Sequence, residues 1–311
     1  MKIKSIELVD KKDLEIKWRI TNSCNADCSY CIRKRYITKP EEIAIEQQNI
    51  EELTKYINAL IEKHPEKNSI AFMLIGGEVS IFDLKSILSK INRIDKLNII
   101  TNMLRNIDYY IDLANYCKSR NIFLSITCSF HEEFIDLDTF VDKLAKLKPY
   151  TGYIMAQMTS VAENQELVKT FIERLKTTDL DYIVDKDFRS INNKEHLIGA
   201  AHKKDKPPRY KVTFEDDTVK YYTSRNQFLT DPEIDTKHTQ KYFNANGYYC
   251  THSYNFVYID YDTVIGWDKD DYINCKKHIN IKDFDLIKAP RKCMTKGWGC
   301  TLCGNFELKG E

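Results

Sequence analysis

Short apolar runs alternate with longer stretches in which apolar residues recur every three or four positions. Leu14, Ile16, Trp18 and Ile20 alternate with Glu15, Lys17 and Arg19, which predicts a half-buried strand over 14–20. In 47–62, Ile50, Leu53, Ile57, Leu60 and Ile61 share one helical face. The continuous apolar run 70–75 predicts a buried strand, and 84–94 a helix. The alternation continues with strand 98–101 and helix 109–118, strand 122–128 and helix 137–147, strand 153–158 and helix 167–175, and a sixth short strand at 182–184. Six strand–helix alternations predict an α/β fold with a parallel sheet, open or curled into a partial barrel. The pattern changes after His202. Residues 203–208 are charged and end in a proline pair, which predicts a boundary. Beyond it come strand-like runs at 209–214, 218–223 and 254–261, with turns at Asp216-Asp217 and 260–263.

Composition narrows the class. The 311 residues suit about two domains, and 42% apolar with 30% charged residues is the balance of a globular protein. Lys plus Arg (47) nearly cancels Asp plus Glu (46), so net charge gives no electrostatic case for nucleic acid. The longest apolar run has six residues, far short of the roughly 18–20 that span a bilayer. The start of the chain carries no apolar secretory segment, so a cytoplasmic location is expected.

Ten cysteines in a reducing compartment point to metal ligation or catalysis before disulfides. Cys117 and Cys128 fall in apolar-periodic stretches and read as core thiols. The other eight form two groups. Cys24, Cys28 and Cys31 follow directly on the first predicted strand, and Cys250, Cys275, Cys293, Cys300 and Cys303 occupy the last part of the chain. Structural zinc takes four protein ligands, and no fourth Cys or His lies near the first group. Three thiolates suit a cubane iron–sulfur cluster with one iron left open to an exogenous ligand. Incidental thiols, or three of four zinc ligands, are the alternatives.

Cys-x3-Cys-x2-Cys with Tyr30 just before the last Cys resembles the signature of the radical S-adenosylmethionine (SAM) enzymes. Gly76-Gly77-Glu78 after the second strand resembles that family's Gly-Gly-Glu motif, and it holds the only Gly-Gly pair of the chain. Thr101-Asn102 ends the third strand, as in many members. The resemblance covers roughly 14–185 and implies a (β/α)6 partial TIM barrel. By that resemblance a [4Fe–4S] cluster on Cys24, Cys28 and Cys31 would chelate the amino and carboxylate groups of SAM. An electron from the cluster would then release a 5′-deoxyadenosyl radical, a chemistry carried by the cofactor while the protein positions and shields it. Gly76 and Gly77 would let backbone approach the methionyl part, and Glu78 would accept a hydrogen bond from its ammonium.

On the fourth strand Thr127 and Ser129 share a face by period two, and the resemblance gives them the ribose and carboxylate of SAM. His131, at the carboxyl edge of that strand, is the candidate to contact substrate or move a proton, with a structural histidine as the alternative. Gln157 on the fifth strand is a candidate for the adenine or substrate side, and Asn102 and Tyr30 join the cofactor-binding set. Arg33-Lys34-Arg35 would hold an anionic substrate or an electron-donor protein, or form a solvated face.

Cys250 and Cys275 flank a predicted hairpin at 255–268, and Cys300 and Cys303 close the chain as Cys-x2-Cys. This resembles the SPASM and shorter twitch extensions of radical SAM enzymes and implies an auxiliary [4Fe–4S] cluster on Cys250, Cys275, Cys300 and Cys303, with Cys293 as the substitute for Cys275. The rival is a structural zinc on the same thiolates. The expected domains are 1–205, the radical SAM core, and 206–311, a smaller hairpin and cysteine-rich auxiliary domain.

The resulting expectation is an oxidoreductase that cleaves SAM reductively and abstracts hydrogen from a peptide or small polar metabolite. A one-electron donor such as flavodoxin or ferredoxin would serve it, with no nucleic acid and no membrane. With the first cluster Cys at 24, no N-terminal peptide-binding domain is expected. The alternative is a non-catalytic, zinc-stabilised binding module.

Overall fold

The computed structural model describes residues 1–9, 14–31, 40–187, 197–202, 208, 210–222, 231–234, 249–250, 253–260, 263–266, 277–288, 291–292 and 306–307. The chain divides into two compact units, 17–65 with 69–205 and 1–16 with 66–68 and 206–311.

In the second of these, β1 (Ile3–Leu8) was not anticipated from the sequence. It pairs antiparallel with a strand from the far end of the chain, with Ile6 opposite Val212. Among the described residues, Ile3, Ile6, Tyr210, Val212, Phe214, Tyr222 and Ile234 form a buried core beneath it.

The larger unit takes up the chain at β2 (Leu14–Thr21), whose first three residues belong to the other unit. Its helices and strands then alternate. They are α1 (Pro40–Lys63), β3 (Ile70–Gly76), α2 (Leu84–Ser89), β4 (Lys96–Thr101), α3 (Ile107–Ser119), β5 (Phe123–Phe130), α4 (Leu137–Leu147), β6 (Tyr153–Ser160), α5 (Gln165–Lys176), β7 (Asp181–Lys186) and β8 (Ala200–His202). The strands β2 to β8 lie in the sheet in chain order. Pairs β3–β4, β4–β5, β5–β6 and β6–β7 are parallel. Strands that follow chain order without reversal place each crossover helix on the same side, as in singly wound barrels. This mixed α/β unit with its large parallel sheet fits a partial TIM-barrel-like fold. Among the described strands the sheet does not close, because β8 runs antiparallel to β7 and forms an edge. Five of the six expected strands are followed by a helix, and 188–196, after β7, lie outside the described residues.

Burial alternation separates the two faces of the sheet. On β5, Leu124, Ile126, Cys128 and Phe130 are buried. Phe130 meets Phe140 of α4 and Phe171 of α5, so this face carries the helices. Ser125, Thr127 and Ser129 therefore take the opposite face. Cys117 on α3 and Cys128 are both free and buried, as core thiols should be. Side-chain oxygens of Asp83, Asn106 and Asp136 cap the helices that follow them.

Two boundaries depart from the apolar pattern for identifiable reasons. Helix α1 begins at Pro40, not 47, because its first turns are largely exposed and leave no apolar stripe to read. Pro at the first helical position with Glu41 and Glu42 behind it is the start signal there. Helix α2 stops at Ser89, although Ile91 and Ile94 beyond it are buried at helical spacing. The chain turns away where Arg120 donates to the carbonyl of Leu88 and Asn58 both donates to Lys90 O and accepts from Asn92 N.

In the smaller unit, β9 (Tyr210–Phe214) and β10 (Val219–Tyr222) form a hairpin. Its turn carries Asp217 at φ 62°, and Thr218 N donates to Asp216 Oδ1. A two-residue strand, β11, covers Tyr249–Cys250. The expected hairpin is present as β12 (Phe256–Asp260) against β13 (Thr263–Gly266), and β14 (Lys277–Asn280) adds a third antiparallel strand. Two more short strands, β15 (Arg291–Lys292) and β16 (Phe306–Glu307), flank β11. Cys275, Cys293, Cys300 and Cys303 lie outside the described residues, as does Arg33-Lys34-Arg35, and only the backbone of Cys250 is described. No helix among the described residues is long and apolar enough to cross a membrane.

Candidate functional site

Four consecutive strands of the larger unit deliver their carboxyl ends to one place, the cysteine loop that follows β2. The first fastening is backbone to backbone: Gly77 N donates to Thr21 O (3.0 Å) and Glu78 N to Ser23 O (2.9 Å). The approach is so close that a Cβ on Gly76 would overlap Thr21, and one on Gly77 would overlap the carbonyl oxygens of Asn22 and Ser23. The glycine pair is therefore required by the protein itself, where the β3 turn lies against the start of the loop.

Glu78 is 1% exposed, and both of its carboxylate oxygens are engaged. Oε1 accepts from Ser80 N (2.8 Å) and Thr101 Oγ1 (2.7 Å), and Oε2 from Asn102 N (2.6 Å). Burial pushes its carboxyl above the ordinary range, and these donors pull the other way. Tyr110 extends the network, donating to Ser80 Oγ (3.1 Å) and lying 2.9 Å from Thr101 Oγ1. Asn102 then reaches the loop itself, donating Nδ2–H to Asn25 Oδ1 (2.7 Å). Met103 follows in the left-handed region at φ 59°, fully buried, with its N–H on Thr101 Oγ1. Residues 78, 101, 102 and 25 thus form one hydrogen-bonded path from the turn after β3, through the end of β4, to the residue beside Cys24.

The fourth strand arrives from the other side. His131 Nδ1 lies 3.2 Å from Cys28 Sγ and 2.9 Å from Tyr30 Oη. The Tyr30 and His131 rings stack with centroids 5.9 Å apart and 9° between planes. Tyr30 Oη donates to Glu132 Oε2 (3.3 Å), whose Oε1 accepts from Asn164 Nδ2 (3.0 Å). Ser29 donates its N–H and hydroxyl to Glu133. Burial lowers the His131 pKa, and Glu132 and Glu133 oppose that shift.

The three thiols are close enough to feel one another. Cys28 is pushed up to about 12, first by burial and then by the charges of Cys24 and Cys31. Cys24 is raised by burial, with Glu78 and Cys31 adding to the shift. Thiolates crowded this way need positive charge to be stable, and a metal centre supplies it. Among the described residues no group of three or more His, Cys, Asp or Glu side chains stands where it could hold a metal ion. A single ion needs its sulfurs to converge on one point, whereas a cubane takes each sulfur on a different iron.

Of the remaining predicted residues, Thr127 and Ser129 lie on β5 and Gln157 on β6. Thr127 is buried and Ser129 half-buried, both on the face away from the helices. Gln157, paired in register with Ser129, donates to Asp185 Oδ2 (3.0 Å). Sequence reasoning missed Glu46, which accepts from Thr21 Oγ1 (2.5 Å) and Asn22 N (3.0 Å) and so ties α1 to the loop. It also missed Asn25, Ser80, Tyr110, Glu132 and Glu133. Only the acidic pair directly after His131 offered a visible signal.

No family model matches the chain, and no curated protein matches it. Among solved structures it is similar to native anSMEcpe with bound AdoMet and Kp18Cys peptide, at 15% identity and a TM-score of 0.40 over 56% of this chain and 51% of that one. It is likewise similar to native anSMEcpe with bound AdoMet, at 16% identity and a TM-score of 0.41 over the same shares. That protein is an anaerobic sulfatase-maturating enzyme, a radical SAM enzyme of the SPASM type. The chain spans about half the length of these structures.

Proposed function

We propose that the chain is a radical SAM enzyme, with Cys24, Cys28 and Cys31 holding a [4Fe–4S] cluster that keeps one iron free for the methionine part of SAM. The observation that carries the reading is the fastening of the cysteine loop at the carboxyl ends of β2, β3, β4 and β5, through Gly77, Asn102 and His131. The cluster, when bound, supplies the electron for SAM cleavage. The chain's part is placement. Gly76 and Gly77 hold the loop against β3, and Glu78 acts through the loop by fixing Ser80, Thr101 and Asn102. Thr127 and Ser129 offer hydroxyls to ribose and carboxylate from the face free of helices, and Gln157 lines the substrate side.

In this reading the enzyme abstracts hydrogen from a peptide or a small polar metabolite, in the cytoplasm. It takes electrons from a flavodoxin- or ferredoxin-like donor. Residues 206–311 form an auxiliary domain in which Cys250, Cys275, Cys300 and Cys303 hold a second [4Fe–4S] cluster, with Cys293 as the substitute for Cys275. The test is anaerobic purification and reduction with dithionite in the presence of SAM. Brown protein that forms 5′-deoxyadenosine, with none from the Cys24→Ala/Cys28→Ala/Cys31→Ala variant, is the expected result. Colourless protein with stoichiometric zinc, or product formation unchanged in the triple variant, overturns the reading.

A further inference from the structure

We propose that His131 donates its Nδ1–H to the Cys28 sulfur and thereby raises the reduction potential of the cluster bound there. The inference rests on the function proposed above. Three observations lead to it. The Nδ1···Sγ distance is 3.2 Å, a hydrogen-bonding distance for sulfur. The ring is held in place by the parallel Tyr30 ring, 9° out of plane with it. The hydrogen-bond directions also close consistently. Asn164 fixes one oxygen of Glu132, the other accepts the Tyr30 hydroxyl hydrogen, and Tyr30 Oη is left as an acceptor. A cysteine bound to iron is a thiolate and has no hydrogen to give. Both neighbours of Nδ1 are then acceptors, so the hydrogen resides on Nδ1 whatever the state of Nε2, and it is shared between Cys28 Sγ and Tyr30 Oη.

An N–H aimed at a ligating sulfur stabilises the electron-rich, reduced cluster more than the oxidised one. Hydrogen bonds to the sulfurs are among the means by which a protein sets such potentials. His131 is in this sense a tuning and positioning residue. Tyr30 limits its effect by taking part of the same hydrogen.

The experiment is an EPR-monitored redox titration of the full-length protein, following the signal that the Cys24→Ala/Cys28→Ala/Cys31→Ala variant lacks. His131→Phe should move the midpoint to more negative potential, by enough to cut the reduced fraction about tenfold at a fixed poise, ~59 mV for one electron. His131→Asn, whose side-chain N–H can take the place of Nδ1–H, should recover most of that shift. Tyr30→Phe leaves the hydrogen wholly to sulfur and should move the midpoint the other way. Equal midpoints in wild type and His131→Phe, or equal shifts in His131→Phe and His131→Asn, overturn the inference. If His131→Phe does not assemble a cluster, Tyr30→Phe decides, and a negative or absent shift counts against it. A wild-type chain with no such signal refutes the underlying reading instead, so the two failures are distinguishable.

Discussion

The two flanks of the cysteine loop are built differently. On the β3–β4 flank, a fully buried carboxylate is filled by two backbone N–H groups and a hydroxyl, and glycines admit carbonyl oxygens where no side chain fits. On the β5 flank the partners are side chains, Tyr30, His131, Glu132 and Glu133, and the contacts of Ser29 with Glu133 are solvent-exposed. Backbone-directed bonds in a dry network fix where a loop lies, because breaking one strands a buried polar group. Exposed side-chain bonds are individually weaker, since water can replace them. The first flank therefore holds the loop most firmly, and the second, through the part-buried contacts of Tyr30 and His131, adds to that hold and adjusts the properties of the site.

That contrast is most easily broken at Gly77. Gly77→Ala drives a methyl into the carbonyl oxygens of Asn22 and Ser23, backbone atoms that move only with the loop. We expect a loss of about 1–3 kcal/mol, each kcal/mol lowering Tm by roughly 2–4 °C, and a loop too displaced to retain most of its iron. Calorimetry together with iron analysis measures both. Wild-type Tm and iron content in this variant would show that the two backbones do not meet there.

Glu78→Gln comes next. The amide keeps one acceptor oxygen and sets its NH2 against the N–H of either Ser80 or Asn102. The mismatch should cost about 1–3 kcal/mol in denaturant unfolding. The difference from wild type should also depend on pH. Burial raises the Glu78 carboxyl above its ordinary 4.5, so the folded state binds its proton more tightly than the unfolded state. Its contribution is full below about pH 4.5 and declines as pH rises through the folded value. The stability advantage of wild type over Glu78→Gln should thus be widest in acid, and an advantage that grows with pH would contradict the assignment.

At the small end, Glu133→Ala removes solvent-exposed bonds to Ser29 and a charge near His131. It should change stability by no more than about 0.5 kcal/mol and leave iron content alone. A large loss of iron would mean that the β5 flank holds the loop as firmly as the other.

How far this contrast was legible in the sequence follows from what kind of bond makes each part. The strand and helix order was readable because each element buries a periodic apolar face, as Phe140, Val141, Leu144 and Leu147 do on α4. The Gly76-Gly77-Glu78 and Thr101-Asn102 motifs were visible, but as cofactor contacts. That Gly77 yields to the Ser23 carbonyl, and that Glu78 reaches Asn102 N, depends on strands far apart in sequence meeting at their ends, which no local pattern encodes. Glu46 was hidden for a different reason, since it sits on a largely exposed turn of α1 with no periodic neighbours to mark it. Strand β1 was missed because its partner lies some two hundred residues away, at Tyr210–Phe214.

EPR of the reduced, anaerobically purified chain, with and without SAM, decides whether Cys24, Cys28 and Cys31 hold a cluster with one iron open to SAM. We expect a signal that changes shape when SAM is added and that disappears, together with about four iron per chain, in the Cys24→Ala/Cys28→Ala/Cys31→Ala variant. A spectrum identical in the wild-type and triple-variant proteins, or one indifferent to SAM, would contradict this assignment.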